Sequence, residues 1–212
     1  MKISWLGHSC FKIKCKEIDL VIDPYSDSIG IKMPKVKADA VLVTHNHDDH
    51  NNISAITGNP LIINGPGEYE MKGTFIYGKR AYHDNKNGLE RGAITIYLIE
   101  EAGITVAHLG DFNQDDLVDE QMEFLKNVDV LLVPVGGTYS LNSDGAIKII
   151  NEIEPRVIIP MHYKCPGVKI SLDGVDKFIN EIGLSPEKLD EFKISKESLP
   201  QNDMKLVILN KQ

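Results

Sequence analysis

The sequence predicts a mixed α/β (α+β) fold, with mixed sheets covered by helices rather than one doubly wound parallel sheet. Two observations carry this. The first third reads as short strands joined by tight turns, whereas the remainder alternates strand-like apolar runs with helix-period segments. Composition agrees: of 212 residues, 42% are hydrophobic and 25% charged, which is the globular range. A chain of this length is expected to form a single domain, 1–212, with core enough to stand without disulfides.

Strands are expected at Lys2–Leu6, Cys10–Lys16 and Asp19–Asp23, with Gly7 and the Lys16–Glu17 region as turn points. Ala40–Thr44 is apolar without polar alternation, the mark of a strand buried on both faces. A short helix is expected over Asn52–Ile56, then a strand at Leu61–Asn64, a Gly65-Pro66-Gly67 turn, a hairpin through Gly73–Lys79 and a polar loop over His83–Gly92. Strands Ala93–Glu100 and Ile104–His108 flank a turn at Glu101–Gly103. Leu117, Met122, Leu125 and Val128 suggest an amphipathic helix over Asp115–Val128. A buried strand at Asp129–Val135 precedes a helix at Ser143–Glu152, capped by Ser143 or Asp144. A strand at Arg156–Pro160, a helix at Asp173–Ile182, a polar segment over Pro186–Ser198 and a strand at Lys205–Leu209 complete the reading.

The balance of charge excludes some functions. With 23 Lys+Arg against 31 Asp+Glu the net charge is -8, which argues against a phosphate-backbone binder. No apolar run approaches the roughly 20 residues needed to cross a bilayer, and the first residues alternate like a strand rather than forming a leader. A cytoplasmic protein without membrane or nucleic-acid partners is expected. The three cysteines form no CxxC pair, so neither a disulfide framework nor a zinc knuckle is indicated. Cys15 is in phase with Phe11 and Ile13 and reads as buried.

Several apolar strands end in an acid or a histidine: Asp23, His45, the His108-Leu109-Gly110-Asp111 run and His162. Groups held at the ends of rigid strands are the usual way a fold fixes a site. The sharpest feature is Thr44-His45-Asn46-His47-Asp48-Asp49-His50. Imidazoles at i and i+2 of an extended segment project to the same side and can share one ion. Asp49 and His50 are adjacent and address a different point. The motif can therefore serve two ions but would crowd one. Nitrogen and oxygen ligands favour zinc, with manganese or iron as competitors. Asp48 reads as a solvated loop residue.

These residues give the chain its resemblance to the metallo-β-lactamase-fold superfamily, in particular to the small Zn-dependent hydrolase branch that includes ascorbate-phosphate lactonase-like proteins. The resemblance spans the chain through Gly7-His8-Ser9-Cys10-Phe11, Asp23-Pro24, the His45–His50 motif, Tyr82-His83-Asp84, Arg91-Gly92, His108–Asp111, Pro134–Tyr139 and Ile159–Tyr163. It implies a four-layer α/β/β/α sandwich with the site at one edge of two sheets. It also implies two divalent ions, one held by His45, His47 and His83 and the other by Asp49, His50 and His162. Asp111 and a hydroxide would bridge them. Asp23 would support the site from behind, its bland reading being a turn residue before Pro24. The expected chemistry is attack of the hydroxide on a carbonyl or phosphoryl centre of a small ester, lactone or phosphoester, with Asp49 also aligning the nucleophile.

Further roles follow less directly. His8 is expected near the site mouth, either orienting substrate and shuttling a proton or simply bonded in a turn. His108 is expected to give support from behind the ligands. Tyr163 is read as a donor to substrate oxygen or as an aromatic wall. Gly136, Gly137 and Thr138 offer backbone N–H groups to an oxyanion. Where the resemblance leads one to expect Leu-Gly-His after Asp111, this chain has Phe112-Asn113-Gln114. A nuclease of the same fold and a non-hydrolytic di-iron or metal-binding protein are the alternatives, and a homo-oligomer is compatible with the sequence.

Overall fold

In the computed structural model, which describes residues 1–212, period-2 alternation sorts the N-terminal strands onto two cores. These strands are β1 (Lys2–Gly7), β2 (Cys10–Lys14), β3 (Asp19–Ile22), β4 (Val36–Lys37), β5 (Ala40–Leu42), β6 (Ile56–Thr57) and β7 (Leu61–Ile63). Ile3, Trp5, Phe11, Ile13, Leu20, Ile22, Ala40 and Leu42 face a large core shared with a second sheet. Leu6, Cys10, Val21, Val41 and Val43 face a smaller core on the opposite side, with Tyr25, Ile29, Met33 and Ile56. Successive side chains of a strand point to opposite faces, so both sides of this sheet are covered.

The remaining strands are β8 (Gly67–Met71), β9 (Thr74–Tyr82), β10 (Ala93–Glu101), β11 (Ile104–His108), β12 (Val130–Pro134), β13 (Val157–Met161), β14 (Pro186–Leu189), β15 (Phe192–Lys193) and β16 (Lys205–Leu209). One sheet has the order β15-β1-β2-β3-β5-β7 and the other β14-β16-β13-β12-β11-β10-β9-β8. The second is antiparallel from β8 to β11 and parallel from β11 through β16. That is the expected change from meander to strand–helix alternation. The helices α1 (Asp119–Leu125), α2 (Ser143–Ile153) and α3 (Val175–Ile182) occupy the crossovers of the parallel half. α2 buries Ala146, Ile149, Ile150 and Ile153, a stripe at helical spacing that joins the large core.

The structure departs from the sequence reading in four places. The helix expected at Asp115–Val128 is confined to Asp119–Leu125. Gln121 explains its start: its Oε1 accepts from Val118 N (3.2 Å) and from the Gln114 amide (3.2 Å), which ties the chain off before the first turn. The cap of α2 is Asn142, whose side chain accepts from Gly145 N, rather than Ser143 or Asp144. The segment at Asn52–Ile56 is a single 3₁₀ turn, Ile53–Ala55. With a second such turn at Asp27–Ile29 and the two-residue strands β4 and β6, it covers the outer face of the six-stranded sheet without an α-helix. Finally, the polar segment Pro186–Ser198 contains β14 and β15, which form one edge of each sheet. Edge strands carry charges that keep them soluble, so apolar periodicity has little to report there.

Candidate metal centre

Six strands deliver the candidate residues from their C-terminal ends. His8 follows β1, Asp23 follows β3, His45–His50 lies beyond β5, His83 follows β9, Asp111 lies beyond β11 and His162 follows β13. Three of these turn sharply as they leave the sheet: His8, Asp23 and His162 have φ of +54°, +48° and +53°. A left-handed backbone costs a non-glycine residue on the order of 1–2 kcal/mol. The strain brings side chains from separate strands to one point.

Asp111 is that point. One of its oxygens lies 3.2 Å from His162 Nε2, 3.4 Å from His83 Nε2 and 4.0 Å from His45 Nε2, and the other lies 3.3 Å from His50 Nε2. His45, His47 and His83 present ligand atoms within 4.8 Å of one another; so do His8, Asp49, His50 and His162. The first group holds the residues that the resemblance implies for one ion; the second adds His8 to those it implies for the other, and Asp111 lies between the groups. Its turn is also tight. Gly110 has φ +57° and a Cβ there would lie 2.9 Å from the Thr44 side chain.

Hydrogen bonds set the tautomers. Asp23 is fully buried and accepts from Thr44 N (2.8 Å), from Thr44 Oγ1 (2.7 Å) and from His50 Nδ1 (2.8 Å). Thr44 has a single hydroxyl proton, which goes to Asp23, so its oxygen accepts from His45 Nδ1 at 2.9 Å. The His45 and His50 rings therefore carry a proton on Nδ1 and turn Nε2 toward Asp111, and although burial opposes it, Asp111 and Asp23 push the His50 pKa up. Ser140 Oγ stands behind His162, 3.2 Å from Nδ1. A carboxylate or hydroxyl behind an imidazole fixes its orientation for a cation in front.

What faces the imidazoles is the informative part. The Nε2 atoms of His45, His50 and His162, His83 Nδ1 and Asp111 Oδ1 are buried without a hydrogen-bond partner. Each such atom costs about 1–3 kcal/mol, and this density of them is foreign to an ordinary core. The chemistry of the donor set, imidazoles and carboxylates, is that of a divalent cation site. Electrostatics agree. Burial lowers the His45 pKa to about 3, helped by His50, so its ring is neutral and its lone pair available. Burial opposes ionisation of Asp111, but His162 and His50 outweigh it and hold the carboxylate ionised.

The placement of other expected residues differs. His8 is not at the mouth: it is fully buried, packs against His162 with the rings tilted (4.2 Å between ring centres) and bonds Asp49 Oδ2 through Nε2 at 3.1 Å. Burial, with His162, brings its pKa down to about 4. Tyr163 is not brought to the cluster. Its ring lies 5.0 Å from Trp5 within the large core. The N–H of Gly137 is spent on Leu141 O (3.0 Å) and is not offered to a ligand. Gly136 serves packing instead, since a Cβ there would lie 2.0 Å from the His162 carbonyl. Thr138 lends its carbonyl to Arg91. His108 donates from Nε2 to Ser9 O and accepts from Gly110 N, locking the turn that carries Asp111. Gln114, where histidine was expected, is committed to Tyr82 N and to Gln121.

The sequence reading passed over Asp84. Its carboxylate accepts from the backbone N–H groups of Lys86, Gly88, Glu90 and Arg91 and so shapes the loop beside His83. Burial works against the charge, but those four N–H groups, Arg91 foremost, bring its pKa from 3.8 to about 2. Because the folded group titrates lower than the free one, its stabilisation is complete above about pH 4 and fades as pH falls toward 2. Asp84→Asn should destabilise the protein by about 2 kcal/mol at pH 7 and flatten the acid limb between pH 4 and 2. Urea unfolding across that range measures both. Equal slopes in the two proteins would contradict the loop's dependence on this charge.

A cavity of about 430 Å³ opens over the cluster, lined by His47, Asp49, His83, Glu90, Arg91, Asp111, Tyr139 and Ile170. A larger one of about 770 Å³, around Asn127, Arg156 and Asp203, lies at the opposite ends of the strands and contains no histidine.

Known proteins place the chain. The profile of the beta-lactamase superfamily domain matches residues 2–162. A UPF0173 metal-dependent hydrolase of Thermoplasma volcanium is 33% identical over 194 residues, covering 77% of this chain and 83% of the relative. A UPF0173 protein of Pyrococcus abyssi is 34% identical over 186 residues, covering 79% and 85%. A solved structure from Thermotoga maritima, of the metallo-beta-lactamase superfamily, superposes with a TM-score of 0.81 at 33% identity, covering 98% and 97% of the two chains. With its histidines and aspartates gathered at the same edge of two sheets, this chain belongs to the metallo-β-lactamase superfamily, among its metal-dependent hydrolases.

Proposed function

We propose that the chain acts as a single metallo-hydrolase domain on a small ester, lactone or phosphoester. His45, His47 and His83 would hold one divalent ion, and Asp49, His50 and His162 a second. Asp111 lies between the sets. The carrying observation is the convergence of buried, unpartnered imidazole and carboxylate atoms. Zinc suits this donor set best, with manganese or iron next, and the Thermotoga maritima relative is described as a candidate zn-dependent hydrolase.

Such ions, when bound, polarise the acceptor oxygen of a substrate and make a held water acidic. The protein supplies the rest. The cavity lining contains no serine, cysteine, threonine or lysine, and water is taken as the nucleophile. Asp49 is a quarter exposed toward that cavity, and His8 pins its Oδ2. Its other oxygen, Oδ1, is left to hold the attacking water in line. Burial opposes that charge, but the His8 hydrogen bond and His50 hold the carboxyl well below its usual range, so Asp49 stays ionised at neutral pH and accepts a hydrogen bond from the water. His8, buried and neutral, thereby acts through Asp49 rather than on substrate.

Metal analysis of the purified protein, with turnover of p-nitrophenyl esters and bis-p-nitrophenyl phosphate, tests the proposal. Two ions per chain are expected, with activity lost on chelation and restored by zinc or manganese. Undiminished hydrolysis by demetallated protein would refute it.

A further inference from the structure

The cavity lining holds one cation, Arg91, to which the proposed hydrolysis gives no role. Arg91 makes no salt bridge. Its guanidinium donates a single hydrogen bond, from Nη1 to the Thr138 carbonyl at 2.9 Å, and lies 5.1 Å from the centre of the Tyr139 ring. Both partners are neutral, and the remaining N–H groups of the planar fork are uncommitted. The neighbouring acid in the lining, Glu90, is already paired with Lys86. Asp49 is engaged by His8, and Asp111 sits among the imidazoles.

The placement is built from both ends. Arg91 N donates to Asp84 at 2.8 Å, and Asp84 directly follows His83, so one carboxylate sets the spacing between that imidazole and the arginine. At the far end, Gly137 and Thr138 adopt φ of +62° and +56°, which turns the Thr138 carbonyl toward the guanidinium. A cation fixed at its backbone and its head, with its donors free, is preorganised for an oxyanion.

We infer that Arg91, held by Thr138 and Tyr139, binds an anionic group of the substrate, a carboxylate or a phosphate, at a distance from the bond that is cleaved. This rests on the hydrolase reading above and narrows it from neutral esters and lactones to acidic ones. A rigid fork beside the cluster rewards a substrate with two polar ends: one at the metal centre, the other at Arg91.

Calorimetric titration of zinc-loaded protein with butyrate, glutarate and 4-phosphonobutyrate tests the inference without requiring turnover. Glutarate or 4-phosphonobutyrate should bind about tenfold tighter than butyrate, and the tighter of the two identifies a carboxylate or a phosphate as the natural group. Arg91→Met should reduce that advantage to about twofold or less, and Arg91→Lys should retain part of it, with metal content and thermal stability of each variant checked alongside. Equal binding of all three acids by the parent protein overturns the inference, and so does an advantage that survives in Arg91→Met. A loss of zinc from Arg91→Met also overturns it, by making the arginine a support for His83. If the advantage depends on Arg91 but no ester or phosphoester is cleaved, the hydrolase reading fails and the anion site stands.

Discussion

Asp111→Asn should lower kcat/KM by about a thousandfold or more and deplete bound metal, while far-ultraviolet circular dichroism stays that of the parent. The substitution keeps the shape of the side chain but removes the charge that faces four imidazoles. Those contacts lie at 3.2–4.0 Å, and Asp111 Oδ1 has no hydrogen-bond partner. An amide presents one acceptor oxygen where the carboxylate presents two, and its NH₂ would donate to imidazole lone pairs meant for a cation, so the side chain can no longer serve both ligand sets. Metal content by mass spectrometry and initial rates with a p-nitrophenyl ester measure the two effects. Full occupancy with ordinary rates would show that Asp111 is an ordinary buried acid.

Asp23→Ala has the second largest expected effect, and it falls first on stability. The fully buried carboxylate accepts three bonds, from Thr44 N, Thr44 Oγ1 and His50 Nδ1. Removing it strands three donors in a dry core, a loss of about 3–5 kcal/mol. Asp23→Asn isolates the electrostatic part, because asparagine tolerates the φ of +48° at this position. Its amide oxygen still accepts from Thr44, but its NH₂ faces His50 Nδ1 and drives that ring toward the wrong tautomer. Zinc affinity should then fall by about 10- to 100-fold with only modest destabilisation. Competition with a chromogenic chelator and urea unfolding separate the two. Unchanged affinity in Asp23→Asn would mean that His50 needs no carboxylate behind it.

Most of the fold could be read in the sequence because its strands stand out as alternating or continuous apolar runs. Ile104–His108 and Lys205–Leu209 form where the pattern places them. The reading failed where a side chain far along the chain decides the outcome. Gln121 ends the α1 segment by bonding Gln114 and Val118, contacts that periodicity does not encode. β14 and β15 are polar because they are edges, so they read as loop. In the site, the residues of the His45–His50 motif, Asp111 and His162 announce themselves by residue type at strand ends, whereas His83 is marked only by the family resemblance. Tyr163 was misjudged because adjacency to His162 says nothing about which face of the sheet it takes. Asp84 and Arg91 were visible only as neighbours of His83 and Gly92. Their significance lies in backbone hydrogen bonds and in a carbonyl 47 positions away, which no local pattern reveals.

The central claim is that side chains from separate strand ends converge on a pair of cations. Anomalous diffraction from crystals of the zinc-loaded protein, recorded on either side of the zinc edge, addresses it directly. Two adjacent peaks are expected, one against His45, His47 and His83 and the other against Asp49, His50 and His162, with Asp111 touching both. A single peak, or zinc bound only at the protein surface, would contradict it.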